Sequence, residues 1–226
     1  MESYEQTQTT IHKELTSDDA EVRSEFLKLF GTEVKTFSGA MAYAVLEWRK
    51  LDETVLTDER RAHVSALVYA AFTLHILSFK LFLSGHLVAA GNQFRQVIET
   101  IALALLCSSK DLDILDRFMA DKYSTSNAVT NVLRHWRKLN LKRDGLEALK
   151  EGQQFYHRFS HVTRLTLGTM ISFSEEGSYV GASFDKGKTD AYQKEVASRV
   201  SLAKVFPNFI AAVRANVAEW ETGGRP

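Results

Sequence analysis

The sequence predicts an all-α fold, and two observations carry the prediction. The 226 residues contain only two prolines, Pro207 and Pro226, so nothing before them removes a backbone N–H or drives a ring into a preceding helical turn. Apolar side chains also recur at three- and four-residue spacing through most of the chain, which is the period of a helix face packed on a core. The expected architecture is a bundle of about six to eight helices. A short glycine-containing loop or small hairpin is expected near residues 171–187. Residues 1–16 read as a flexible N-terminal tail, 17–222 as a single helical domain and 223–226 as a flexible C-terminal tail.

The elements follow in order. Ser17, Asp18, Asp19 and Glu21 put a capping residue and acids at the positive end of a helix dipole. Val22, Phe26, Leu29 and Phe30 then keep helical spacing, Gly31 marks an interruption, and Val34, Phe37, Met41, Val45 and Trp48 resume the pattern. Thr57, Asp58 and Glu59 open a second helix that stops at Ser84-Gly85. The third, about 86–109, is apolar around most of its circumference, as a central bundle helix must be. Leu112, Leu115 and Met119 mark a fourth, and Val129 to Leu139 a fifth. Another runs from Leu146 to about Thr169, kinked or merged around Gly152, with Phe155, Phe159 and Val162 toward the core. Gly177, Gly181 and Gly187 surround short β-prone runs, Ile171–Phe173 and Tyr179–Val180, and read as the loop or hairpin. Thr189-Asp190 opens the last helix, which Pro207 kinks or restarts. Phe209 and Trp220, if exposed there, point to a dimer.

Composition excludes several classes. Lys and Arg total 28 and Asp and Glu total 28, so the formal net charge is zero, and 45% of residues are hydrophobic and 11% aromatic. Such a chain can bury enough surface to order itself, and it lacks the global positive charge of a general nucleic-acid coat. The single cysteine, Cys107, excludes a disulfide framework and a structural zinc site and reads as a small core residue. The N-terminus is polar and is no signal peptide. The Lys/Arg/Asp/Glu-free run Val64–Phe79 is shorter than the roughly 20 residues that span a bilayer, so a buried helix is expected, with no membrane partner and a cytoplasmic location.

Most catalytic motifs fail. Ala182 to Thr189 matches a loose P-loop spacing, but no buried strand and parallel sheet accompany it, so chance spacing is the reading adopted. No histidine has a glutamate three residues before it, which excludes a di-iron bundle. HExxH and GxSxG are absent. No metal and no organic cofactor is expected. Arg134, Arg137 and Lys138 surround Trp136 in a locally basic run that suits phosphate contact and base stacking. A solvated helix end explains the same run, since Asp111, Asp113, Asp116 and Asp121 lie just upstream.

Two polar stripes interrupt apolar helices. Asn92, Arg95, Gln96 and Glu99 fall on one helical face, and so do His157, Ser160, His161 and Arg164. If both stripes face water, Arg95 and Glu99 are an ordinary i,i+4 pair and the histidines a polar edge. If they face each other, they enclose a pocket in which Arg95 fixes an anion and His157 or His161 exchanges protons. Sharing a metal among His157, His161 and Glu99 is a third option, with no further ligand visible.

The runs Phe94-Arg-Gln-Val-Ile-Glu99 and Tyr156-His-Arg-Phe-Ser160-His161, followed by a glycine-bearing loop and a long final helix, resemble the HEPN superfamily. These are small helical bundles common in bacterial toxin–antitoxin and abortive-infection systems. The resemblance covers roughly residues 60–220. It implies a helical bundle that often dimerises, RNA or an antitoxin protein as partner, and metal-independent RNA cleavage. Carried onto this chain, it makes His161 the acid–base group, with Arg95 or Arg164 as phosphate partner and Glu99 as orienting carboxylate, in a catalytic set of Arg95, Glu99, His157, Ser160 and His161. Arg164, Arg134, Arg137 and Lys138 are the RNA-binding candidates. The chain departs from the Arg-x4–6-His pattern of active members, because Arg158 and His161 are separated by only two residues. The other reading is a non-catalytic bundle that self-associates or binds a partner protein.

Overall fold

The computed structural model describes residues 3–222 and contains nine α-helices within them. The core is built mainly on α2 (Ala20–Asp52), α3 (Glu59–Leu83), α4 (Leu87–Cys107) and α9 (Thr189–Thr222). Helix α3 opens one residue after the Thr57 start read from the sequence, because the Asp58 carboxylate accepts from the N–H groups of Arg60 and Arg61, two of the donors a helix start leaves unpaired. It stops at Gly85, whose φ is +82° and whose missing Cβ would stand 2.6 Å from the Ser183 nitrogen. Only glycine combines that backbone with that approach. The break expected at Gly31 falls one residue earlier, at Phe30 (φ −118°, ψ 18°), inside a helix that otherwise continues to Asp52.

Helix α4 is the central helix, packed on α3, α6 (Ala128–Arg134), α7 (Arg143–Tyr156) and α9. Every side chain from Ile101 to Cys107 is buried. Burial pushes the Cys107 thiol up to about 12, which leaves it protonated and unreactive. Helices α3 and α9 are long and apolar enough by composition to cross a membrane, yet 44% of each such window is buried in the bundle. Helix α9 continues through Pro207. Phe209 is buried, and the partly buried Trp220 donates from Nε1 to the Ser108 carbonyl at 2.8 Å, so neither is the freely exposed aromatic that the sequence reading required.

The main departure is around residue 157. The helix expected over 146–169 ends at Tyr156, a 3-10 turn takes His157–Ser160, and α8 (Arg164–Met170) starts anew behind a Thr163–Thr166 capping box. No glycine or proline causes this break. The turn instead accompanies a tertiary contact: the Phe159 ring packs so closely on Gly91 of α4 that a Cβ there would stand 2.4 Å from Cγ. Phe159 is buried as expected, whereas Val162, beyond the turn, is 85% exposed and Phe155, in the last turn of α7, 39%. Gly152 lies inside α7 without a kink. Similarly, α6 ends at Arg134 instead of continuing to Leu139, with α5 (Ile114–Met119) before it.

The loop after α8 is a minimal hairpin, an antiparallel bridge between Ile171 and Ser178. Lys188, the lysine of the P-loop-like run, is buried in its base. Its Nζ donates to the Thr169 carbonyl at 3.0 Å, lies 3.6 Å from Asp185 and sits 5.2 Å from the ring centres of Phe173 and Tyr179. This lysine holds the loop on α9. Residues 4–16, read as tail, form α1 (Tyr4–Thr16), started by a Ser3–Gln6 capping box. No α1 residue is buried, but the Glu14 carboxylate accepts from the Ala182 N–H at 2.8 Å. The tail expected at 223–226 lies outside the described residues.

Candidate functional site

The two polar stripes meet, although only one of them is helical. Arg95 donates from Nε to Glu99 Oε1 at 2.9 Å and from Nη1 to Ser160 Oγ at 2.7 Å. Ser160 in turn donates to Asn92 Oδ1 at 2.7 Å. The Arg95 and Glu99 side chains are only 19% and 12% exposed, so this is no solvated surface pair. The Arg95 Nη2 atom has no protein partner among the described residues. Gln153 of α7 adds a second donor to Glu99 Oε1, at 3.1 Å, and also donates to the Ser126 carbonyl. Charge-assisted bonds of this kind are the strong ones, and here they join α4, α7 and the 157–160 turn.

His157 and His161 flank the anchored Ser160. Both are exposed, and their rings stand edge to face with centres 4.7 Å apart. Their pairing comes from the turn, since His161 is extended (φ −137°, ψ 159°) and not helical. No group of three metal-ligating side chains occurs among the described residues, so Glu99 does not complete a metal site with the two histidines. Arg164 is the first residue of α8 and is exposed. Arg134 ends α6, and Arg137 and Lys138 follow in the next turn, all exposed. Among the described residues none of these four bonds to the Arg95 network. Arg137 instead lies over Trp136, 5.1 Å from its ring centre.

A second polar cluster, which no pattern in the sequence singles out, lies behind the turn. Arg199 of α9 is fully buried. It donates from Nη1 to Glu195 Oε2 at 2.6 Å and from Nε to Ser78 Oγ at 3.3 Å, and it lies 4.9 Å from the ring centres of both Phe82 and Phe94. Tyr156 donates to the same Glu195 oxygen at 3.0 Å. Burial raises the Tyr156 phenol well above its ordinary value. Buried His75 sits beneath, its Nε2 donating to the Arg199 carbonyl at 3.0 Å and its ring stacked on Phe206. Tyr156 immediately precedes the histidine turn, so this cluster fixes where the turn begins. The only signal in the sequence was Glu195 and Arg199 at i,i+4, which ordinarily reads as a surface pair.

The close packing of the turn on α4 gives a direct test. Gly91→Ala is expected to destabilise the protein by about 1–3 kcal/mol, the cost of overpacking a filled contact. It should also displace the Phe159 ring and loosen the Arg95–Ser160 bond. Urea denaturation checks the first, and the ring resonances of His157 and His161 check the second.

Fold and site together define a helical bundle with a half-buried Arg–Glu–Ser–Asn network beneath an exposed histidine pair. Comparison with protein-family models, with curated proteins and with solved structures finds no match to this chain.

Proposed function

We propose that the chain is a cytoplasmic, HEPN-like protein that cleaves RNA without a metal. The Arg95 network and the His157–His161 pair would form its site, in a toxin-like or defence role. The observation that carries this reading is the 2.7 Å bond from Arg95 to Ser160. It sets a guanidinium with an unpartnered Nη2 beside the turn that bears two exposed imidazoles. One neutral imidazole takes the proton of a ribose 2′-hydroxyl as the O2′–P bond forms. The other, protonated, gives its proton to the leaving 5′ oxygen as the P–O5′ bond breaks. Arg95 Nη2 meets the charge that develops on the phosphorane, Glu99 and Ser160 hold Arg95 in place, and Arg164, Arg134, Arg137 and Lys138 hold flanking phosphates.

The test is cleavage of single-stranded RNA by the purified protein in excess chelator, together with expression toxicity in a bacterium. The wild type is expected to cleave, and His157→Ala and His161→Ala to lower the rate by about a hundredfold or more. Toxicity should fall with His161→Ala and Arg95→Ala. RNA left intact by the wild type, or cleavage abolished by chelator, would sink the proposal.

A specific observation favours the second reading, a non-catalytic bundle that self-associates or binds a partner protein such as an antitoxin. On α3, Tyr69, Ile76 and Leu77 are 49%, 44% and 39% exposed along one side of an otherwise core helix. Sedimentation decides it: a dimer that Ile76→Asp converts to monomer, in a protein inert toward RNA, supports this reading over cleavage.

A further inference from the structure

Beside the Arg95 network a small cleft of about 110 Å³ opens between α4 and the 3-10 turn Thr125–Asn127, lined by Gln96, Glu99, Thr100, Leu103 and Thr125. Its acidic wall is held rigid. Both protein donors to Glu99, Arg95 Nε and Gln153 Nε2, use Oε1, and Oε2 has no protein partner among the described residues. Glu99, with the lone pairs of one carboxylate oxygen unspent, thus lines the cleft together with the buried Leu103.

The charge state narrows what this oxygen receives. Arg95 already neutralises Glu99 at 2.9 Å, so a cationic ligand gains little from the pair. A neutral group with N–H donors gains a charge-assisted bond. Gln96 supplies the complement: its Oε1 accepts from Gln93 Nε2 at 3.2 Å, which leaves its own amide N–H groups to donate. The lining residues thus include a carboxylate oxygen whose two lone pairs can take two N–H donors and an amide that can donate to a carbonyl. Among nucleobase edges only guanine presents that set, with N1–H and N2–H2 beside O6. Adenine and cytosine place a ring nitrogen acceptor against the carboxylate, and uracil flanks its one N–H with two carbonyl oxygens. The cleft admits the edge of one ring and not a whole nucleotide.

We propose that this cleft is a guanine-reading subsite, rigidified by Arg95 and Gln153. Its role in choosing the cleavage position rests on the RNA reading above. The ligand-binding claim is tested without cleavage, by titrating the protein with guanosine, inosine, adenosine, cytidine and uridine 3′-monophosphates and following binding calorimetrically. Guanosine monophosphate is expected to bind at least about tenfold more tightly than the adenine, cytosine and uracil nucleotides, the discrimination of a good edge pair. Inosine, which lacks the 2-amino group, should fall between. Glu99→Gln should erase the preference. Thr125→Trp, a surface change that fills the cleft and leaves the Arg95–Glu99 pair intact, should erase it too. Equal affinity for the four standard nucleotides, or a guanine preference that survives Thr125→Trp, overturns the proposal. Guanine preference in a protein that cleaves nothing removes the cleavage reading and keeps the subsite. Cleavage with no base preference does the reverse.

Discussion

Glu195→Gln is expected to destabilise the protein by about 3 kcal/mol, the lower end of the range for breaking a buried ion pair from one side. Arg199 is fully buried and cannot shed its proton. Its Nη2 atom already lacks a partner, so the guanidinium depends on Glu195 for its counter-charge. The Glu195 side chain is 18% exposed, and water takes up part of the loss, which places the figure low in the range. The aromatic faces of Phe82 and Phe94, both 4.9 Å from the guanidinium carbon, attract the cation but accept no hydrogen bond from it comparable to a carboxylate's. The double change Glu195→Gln with Arg199→Met should be less destabilised than Glu195→Gln alone, because it removes the charge that was left unpaired. Chemical denaturation of the single and double variants decides this. A loss below about 1 kcal/mol for Glu195→Gln would show that the pair contributes no more than an exposed one does.

The second large effect is a pH dependence of stability centred on His75. Its imidazole is fully buried among Phe37, Phe94 and Phe206. Burial first, and the nearby Arg199 charge after it, pull its pKa down from 6.5 to about 3, against the opposing hydrogen bond to the Arg199 carbonyl. Above the unfolded value both states hold the ring neutral and pH has no leverage through it. As pH falls below 6.5 the unfolded chain takes up a proton that the folded chain refuses until about 3. Stability therefore declines by about 1.4 kcal/mol per pH unit across that window, a cumulative loss on the order of 4 kcal/mol. Urea midpoints of wild type and His75→Gln between pH 7 and pH 4 isolate this contribution, since the other titrating groups are common to both. The variant is expected to start less stable, because it loses the ring packing, and to show the shallower slope on acidification. Parallel slopes would sink the assignment.

Parts of the candidate site are legible in the sequence. Asn92, Arg95 and Glu99 recur on one face of a helix that is otherwise Leu, Ile, Val, Ala and Phe, and polar groups in such company must find partners or water. The partners were only half legible. Ser160 and the histidines read as a continuous helical stripe, because nothing local in Phe155 to Val162 breaks a helix. The break goes with Phe159 seated on Gly91, a contact between residues 68 positions apart. Gln153 reads as one more polar residue on a solvated face until α7 is packed on α4.

Residue order alone settles the helical class, the start of α3 to within a residue of Thr57, its end at Ser84-Gly85 and the central placement of α4. Each of these follows from local chemistry: a capping carboxylate, a left-handed glycine, an uninterrupted apolar circumference. Tertiary structure alone decided that Arg199 and Glu195 lie inside and that Lys188 clamps a loop. It also decided that His157 and His161 stand edge to face across an anchored serine. Burial of a charge is a property of what lies opposite. Arg199 meets Ser78 and His75 across separations of 121 and 124 residues, and no window of sequence short enough to show helical periodicity contains both sides of such a contact.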